Sequence, residues 1–290
     1  MFNSILGTAR PHHWVKNLII FAALIFARKY TNGISVILAI KAFVAFCLAA
    51  SAIYFINDIT DFKQDQLHPV KKSRPIASGQ LAISTAWIIA CLLLAFGFGI
   101  SLSIGSSFLV YFLAYVILNF GYNLGLKNIV ILDVMVLALG FVLRAAAGAA
   151  AIAVPISSWL LICTVLLALF LGFAKRRHEL TILGDNAASH RQTLAHYSPY
   201  FLDQMISVVT ASTVVAYTFY TLSPEIKEKF GTDDLVFTVP FVLYGIFRYL
   251  YLVHQKEQGG NPTKLLITDM PLLICVGLWI IIVLTIFQFG

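Results

Sequence analysis

The sequence predicts an all-α, polytopic membrane protein, a bundle of nine transmembrane helices, and three observations lead there. Of its 290 residues, 60% are hydrophobic and 11% charged, with a mean hydropathy of +0.88, whereas a chain of this length folded in water needs far more polar surface. Apolar runs long enough to cross a hydrocarbon core, about 20 residues, recur from Leu18 to Phe289 with short interruptions. The runs are continuous, as in Ile83–Ile104 and Ile129–Val154; the strands of a membrane barrel instead alternate over segments of about 10 residues.

Hydropathy places the spans near 15–28, 35–58, 81–103, 107–124, 129–153, 158–176, 200–222, 235–253 and 268–289, all within a single domain covering 1–290. The first is the shortest. Arg10 and Lys16 ahead of Leu18–Ala27 imitate a secretory leader, but Arg28-Lys29 is a poor cleavage neighbourhood and the chain stays apolar beyond it. Nine spans put the two ends on opposite sides of the bilayer. Arg10, Lys16, Lys63, Lys71, Lys72, Arg74, Lys127, Lys175, Arg176, Arg177, Arg191, Lys256 and Lys264 then gather on the N-terminal side, against Arg28, Lys29, Lys227 and Lys229 opposite. By the positive-inside rule the richer face is cytoplasmic, giving an integral protein of the inner (plasma) membrane. The net charge of +7 is therefore read as topology, with no nucleic acid as partner. Cys47, Cys91, Cys163 and Cys275 stand singly in apolar runs without ligand spacing, and read as packing residues.

Interleaved acids make the basic face more than an orientation signal. In Asn57-Asp58-Ile59-Thr60-Asp61-Phe62-Lys63-Gln64-Asp65-Gln66-Leu67-His68-Pro69, a helix continuing out of the second span would carry Asp58, Asp61, Asp65 and His68 on one face. Like charges so stacked need a cation. The bland reading is a solvated helix end paired with Lys63, Lys71 and Lys72; the functional one is a Mg²⁺ site formed by Asn57, Asp58, Asp61 and Asp65, because oxygen ligands suit this hard ion and it bridges carboxylates to phosphates. Asn57 and Asp58 lie at the membrane edge, where ionisable groups are costly and usually functional. Pro69 and Pro75 stop the helix, with Lys71, Lys72 and Arg74 just beyond the carboxylates.

Asn57-Asp58-x-x-Asp61-x-x-x-Asp65, followed by Arg74-Pro75 and Ser78-Gly79, resembles the first aspartate-rich signature of the UbiA superfamily of intramembrane prenyltransferases, which have nine helices. Arg10-Pro11-x-x-Trp14-x-Lys16-Asn17, His68-Pro69-x-Lys71-x-x-Arg74-Pro75-Ile76-Ala77-Ser78-Gly79, Tyr122-Asn123-x-x-Leu126-Lys127, Gly140-Phe141-x-Leu143-Arg144 and Lys175-Arg176-Arg177-x-Glu179 are similar to the branch typified by decaprenyl-phosphate phosphoribosyltransferase. Gly259-Gly260-Asn261-Pro262-Thr263 and Asp269 also fit, so the likeness covers nearly the whole chain. Where the wider superfamily carries a second aspartate-rich motif, this chain reads Lys175-Arg176-Arg177-His178-Glu179 and then Asp185. A basic replacement suits extra phosphate groups.

The resemblance implies Mg²⁺-dependent transfer of 5-phosphoribose from phosphoribosyl diphosphate (PRPP) to a polyprenyl phosphate. It assigns Asp58, Asp61 and Asp65 to catalysis and to the metal, with Asn57 as a further ligand. Lys71, Arg74 and Lys127 would contact phosphates, and Lys175, Arg176 and Glu179 the donor's 5-phosphoribose or the acceptor head group. Lys16, Asn17 and Tyr122 complete the substrate contacts. Arg144, deep in the fifth run with Asp133 eleven residues earlier, should face the bundle interior, since an unpaired ion in lipid is expensive, and is read as lining the substrate cavity. Lys41 snorkels and carries no assignment, and His12 and His13 show no metal spacing. Two rivals stand beside this reading: an isoprenyl-diphosphate prenyltransferase acting on an aromatic or glycerol-phosphate acceptor, and a non-enzymatic lipid or anion transporter. Assembly into a homo-oligomer is compatible with the sequence.

Overall fold

The computed structural model describes residues 1–67, 71–184, 192–260 and 262–289. His68 and Pro69 of the expected acidic segment, and Asp185, Arg191 and Asn261, lie outside them. The described residues form helices and no strand, and eight helices are long and apolar enough to cross a membrane, so the chain is an integral multi-pass membrane protein. It divides into two compact units, residues 1–156 and 157–290.

The first unit contains α1 (Phe2–Ala9), a 3₁₀ segment (Pro11–Phe21), α2 (Ala22–Phe26), α3 (Gly33–Thr60), α4 (Phe62–Leu67), α5 (Ile83–Ile104), α6 (Ser106–Leu124) and α7 (Leu132–Ala151). The expected span at 15–28 is not one α-helix. It is the 3₁₀ segment continued by α2, and the larger 3₁₀ rise of about 2 Å per residue lets these sixteen residues cover about 30 Å, the thickness of the hydrocarbon core. Pro11 opens the segment at N1, where its missing N–H costs nothing. Asn32 caps α3 by accepting from the Ser35 N–H at 3.0 Å.

Small residues set how closely these elements approach. Ala42, Ala45, Ala49 and Ala52 make a buried stripe on α3, and α7 buries Ala145, Ala146, Ala147, Gly148 and Ala149, the small-residue packing that membrane helices use. At Gly148 a Cβ would overlap the Ile20 carbonyl, so only glycine admits the 3₁₀ segment this close. Phe46, Phe108, Phe112 and Tyr115 close the core, with Phe46 edge-on to Phe112 at 5.8 Å.

The second unit contains α8 (Ser158–Leu183), α9 (Pro199–Leu222), α10 (Pro224–Phe230), α11 (Val239–Gln255), α12 (Pro262–Thr268) and α13 (Met270–Phe289). Ser157 and Ser198 cap α8 and α9 through their hydroxyls. Helix α8 runs seven residues beyond the expected 158–176, so the whole Lys175–Glu179 motif is helical. Trp279 of α13 donates to the Tyr217 hydroxyl of α9 at 2.8 Å, and Arg248 holds Asp269 at 2.8 Å.

Candidate active site

The acidic segment is two helices, not one. Helix α3 ends at Thr60, Asp61 caps it, and α4 resumes at Phe62. The turn is nearly helical, since the Asp61 and Asp65 N–H groups still donate to the carbonyls four residues back, and Asp58 and Asp65 are carried inward to 1% and 2% exposure. Asp61 faces a wetter position.

Each of the three carboxylates is met by one or more cations. Arg10 donates two hydrogen bonds to Asp58, at 2.7 and 3.0 Å. Nη1 of Arg74 sits between two acids, 3.1 Å from Asp58 and 2.6 Å from Asp65, and Lys127 reaches Asp61 at 2.8 Å. The bland expectation named Lys63, Lys71 and Lys72 as partners; Lys63 and Lys72 are exposed, and the observed partners of the acids come from α1's end, the loop after α4 and the turn after α6. Both partners are ionised in each pair, which makes these hydrogen bonds the strong kind.

Arg10 reaches Asp58 because the segment after α1 is fastened along α3 by three rungs. Arg10 pairs with Asp58, the Trp14 indole donates to Ser51 Oγ at 3.0 Å, and the Asn17 amide donates to Cys47 Sγ at 3.2 Å. Residues 47, 51 and 58 are four and seven apart, hence on one face of the helix. The Ser51 hydroxyl then donates to the Ala9 carbonyl at 3.0 Å. From the other side Arg144 Nε donates to Asn17 Oδ1 at 2.6 Å, its Nη1 to the Gly140 carbonyl at 2.8 Å, and its Nη2 to the Tyr115 hydroxyl at 2.7 Å. The guanidinium also lies 4.5 Å from the Tyr115 ring centroid.

The structure therefore brings together Asp58, Asp61, Asp65, Arg74 and Lys127, and adds Arg10, which the sequence reading quoted in a motif without a role. It does not bring Asn17 and Arg144 to them. Cys47, the α3 partner of Asn17, is eleven residues from Asp58, about 16 Å of helix, and Asn17 is fully buried between Arg144 and Cys47. Lys16 is half-buried on the 3₁₀ segment, Lys71 stands on the short turn Lys71–Ser73, and Tyr122 is half-buried near the end of α6. Asp133 is buried in the first turn of α7.

In the second unit Arg176 is 1% exposed and donates to Glu179 at 2.7 Å, with Lys175 3.7 Å from the same carboxylate. Sequence reasoning missed the neighbouring cluster: Arg177 Nε donates to Asp203 Oδ1 at 2.5 Å, and His254 Nδ1 is 3.8 Å from that oxygen. Asp203 sits one turn into α9, close to the expected edge of a span at 200; a carboxylate there was the available signal. The Gly259-Gly260 pair packs on α8, since a Cβ on Gly260 would overlap the His178 ring.

For a divalent cation the first-unit donors fit by chemistry. They are all oxygens, as Mg²⁺ prefers, and the position shared by Asp58 and Asp65 already holds a cationic nitrogen. Among the described residues no three acidic, histidine or cysteine side chains are gathered tightly enough to hold a metal; the acids are drawn instead to cations, with Arg74 shared by Asp58 and Asp65.

Comparison with known proteins gives this arrangement a family. The UbiA prenyltransferase family pattern matches residues 18–287. The decaprenyl-phosphate phosphoribosyltransferase of Corynebacterium glutamicum is 31% identical over 284 residues, 96% of this chain and 85% of that protein. The protein of the same name from Mycolicibacterium smegmatis is 30% identical over 291 residues, 97% of this chain and 91% of its own. A UbiA homolog from Archaeoglobus fulgidus, solved bound to GPP and Mg²⁺, has a TM-score of 0.75 at 19% identity, covering 98% of this chain and 99% of that one, which is a likeness of fold. With the aspartate-rich cap of α3 and the match over most of its length, this chain belongs to the UbiA prenyltransferase family.

Proposed function

We propose that this protein transfers 5-phosphoribose from PRPP to a polyprenyl phosphate, releasing diphosphate, at the cytoplasmic face of the inner membrane with its N-terminus inside. The observation that carries the reading is the set of buried Asp58 and Asp65 and half-buried Asp61 interleaved with Arg10, Arg74 and Lys127, in a chain about 30% identical to two proteins named for that reaction.

Asn57, Asp58, Asp61 and Asp65 would hold Mg²⁺, which when bound supplies positive charge against the departing diphosphate. Arg74, Lys127 and Lys71 neutralise the same leaving group with N–H donors, and Lys16 and Tyr122 bound the approach. Lys175, Arg176 and Glu179 bind the 5-phosphoribose or the acceptor head group. The acceptor oxygen is anionic near neutral pH, so no strong general base is required. Positioning and charge stabilisation carry the acceleration.

The test is a reaction in detergent with PRPP, Mg²⁺ and a defined polyprenyl phosphate, the lipid product read by mass spectrometry. Asp61→Ala should lose turnover while still folding; full turnover in that variant refutes the metal assignment. The solved homolog holding GPP and Mg²⁺ favours a second reading, an isoprenyl-diphosphate transferase. The basic Lys175-Arg176-Arg177 run argues against it, and competition between labelled PRPP and GPP decides. A transporter would yield no new lipid in the same assay.

A further inference from the structure

The pairing of the three acids raises a question that their proposed chemistry does not answer: a metal entering this site finds its ligands already taken. Three carboxylates face three cations, and the set is neutral. Asp58 is 1% exposed and gives both oxygens to Arg10, and Arg74 occupies the space between Asp58 and Asp65. A divalent ion arriving alone must break these hydrogen bonds and leave two added positive charges in a half-buried pocket. Uncompensated charge in such a place is expensive.

Arg10 is built to give way without losing its place. It caps α1 in the left-handed region, φ 50 and ψ 59, with its N–H on the Leu6 carbonyl; a bulky residue keeps that backbone only where its surroundings hold it. The Trp14–Ser51 and Asn17–Cys47 rungs hold the chain that follows. The guanidinium lies 4.9 Å from the Tyr54 ring centroid, a cation–π shelf that remains when the carboxylate is withdrawn.

We infer that Arg10 and Arg74 are exchangeable counter-ions of the metal site: they neutralise Asp58 and Asp65 until a divalent cation and a phosphate-bearing anion arrive together, then hand the carboxylates to the metal and take the phosphate oxygens themselves. The inference rests on the proposed metal role of these acids. In the exchange Arg10 and Arg74 N–H bonds pass from carboxylate to phosphate oxygen, the carboxylates turn to the cation, and no proton moves. Cation and anion binding are then positively linked, and by reciprocity each tightens the other by the same factor. Metal bound without substrate is disfavoured, so the two enter as a pair.

The experiment is Mn²⁺ binding to detergent-purified full-length protein, with free Mn²⁺ read by electron paramagnetic resonance and inorganic phosphate as the anion. In the unmutated protein, phosphate should tighten Mn²⁺ binding about tenfold at matched free Mn²⁺, within the usual range of such couplings. Arg10→Gln should bind Mn²⁺ about tenfold more tightly than the unmutated protein when no anion is present, and its response to phosphate should shrink. Arg74→Gln gives a second variant with the same expected direction should Arg10→Gln not fold. Unchanged or weaker anion-free Mn²⁺ affinity in both, or no phosphate effect in the unmutated protein, overturns the exchange. Those results leave the metal role standing provided Asp61→Asn still abolishes Mn²⁺ binding. If the unmutated protein takes up no Mn²⁺ with or without phosphate, the metal role falls and the exchange falls with it.

Discussion

Gly148 offers a sharp mechanical test of how the acidic site is held. Its α-hydrogen faces the Ile20 carbonyl so closely that a methyl group there would overlap backbone atoms, and neither side is a flexible side-chain tip that can swing away. In Gly148→Ala the 3₁₀ segment must retreat by about 1 Å before ordinary nonbonded contact returns. Overpacking of this kind costs about 1–3 kcal/mol, reduced by a few tenths because alanine is the better helix former in α7. The retreat is transmitted along the segment that carries the Asn17, Trp14 and Arg10 rungs, and misplacing a binding group by about 1 Å can lower turnover by about a hundredfold. The expected result is a protein that stays monodisperse, melts several degrees lower and loses ten- to a hundredfold in turnover, on the order set by that misplacement. Gly99 on α5 is the control: a Cβ there meets nothing within 4 Å, so Gly99→Ala should leave melting equal or higher and turnover unchanged. Thermal unfolding and the PRPP assay on both variants read the outcome. A Gly148→Ala protein indistinguishable from the unmutated one in melting and turnover would mean the segment is not seated against α7 as described.

Arg144→Met should destabilise by about 2 kcal/mol or more, since it strands Asn17 Oδ1 and the Tyr115 hydroxyl without their buried donor; an unchanged melting temperature in detergent would refute that role, and Arg144→Lys should recover part of the loss. Arg176→Met should raise the KM for PRPP or for the polyprenyl phosphate by about ten- to a hundredfold, the worth of one charged phosphate contact; a rise in the first places Arg176 on the donor, a rise in the second on the acceptor, and no change in either removes it from the substrates. The hydrogen bond from Arg248 holds the Asp269 carboxyl below its ordinary value. A depressed carboxylate pKa contributes stability above the unfolded pKa of about 3.9 that is lost as pH falls through the lower folded value, so Asp269→Asn should melt lower than the unmutated protein at neutral pH and converge with it below that range. Parallel melting curves down to the acid limit would contradict the pairing.

What the sequence made legible follows from the range over which each signal acts. The eight long spans are set by local hydropathy, and their ends fall within a few residues of the expected ones, apart from α8. Lys175–Glu179 looked like the water beyond a span because charged residues end a hydropathy run; Arg176 instead stays buried against Glu179, which lets the helix continue to Leu183. The first span defeated hydropathy because a 3₁₀ segment and an α-helix of the same composition read alike, and the residue it packs against, Gly148, is far away in the chain. The acids announced themselves through spacing, and Arg74 lay just beyond them, yet their other two partners did not: Arg10 is 48 residues from Asp58 and Lys127 is 66 from Asp61. Lysines nearer in sequence were the natural guess, and nothing local could correct it.

The same long-range pairing bears on why this site sits where it does. A carboxylate trio at the end of a membrane helix is unstable alone, and a basic trio drawn from the N-terminal segment, the loop after α4 and the turn after α6 would be equally so; each makes the other tolerable at the membrane edge. The neutral set can wait for substrate without either a bound metal or a bound anion. Because Arg10 is delivered by a segment anchored at Ser51, Cys47 and Arg144, well below the acids, the anchoring charge of Arg144 and the exchanging charge of Arg10 are separate devices on one strut. Loss of the first should move melting and turnover together, whereas loss of the second should change metal affinity in the opposite sense to substrate affinity, and that divergence is what distinguishes a strut from the group it carries.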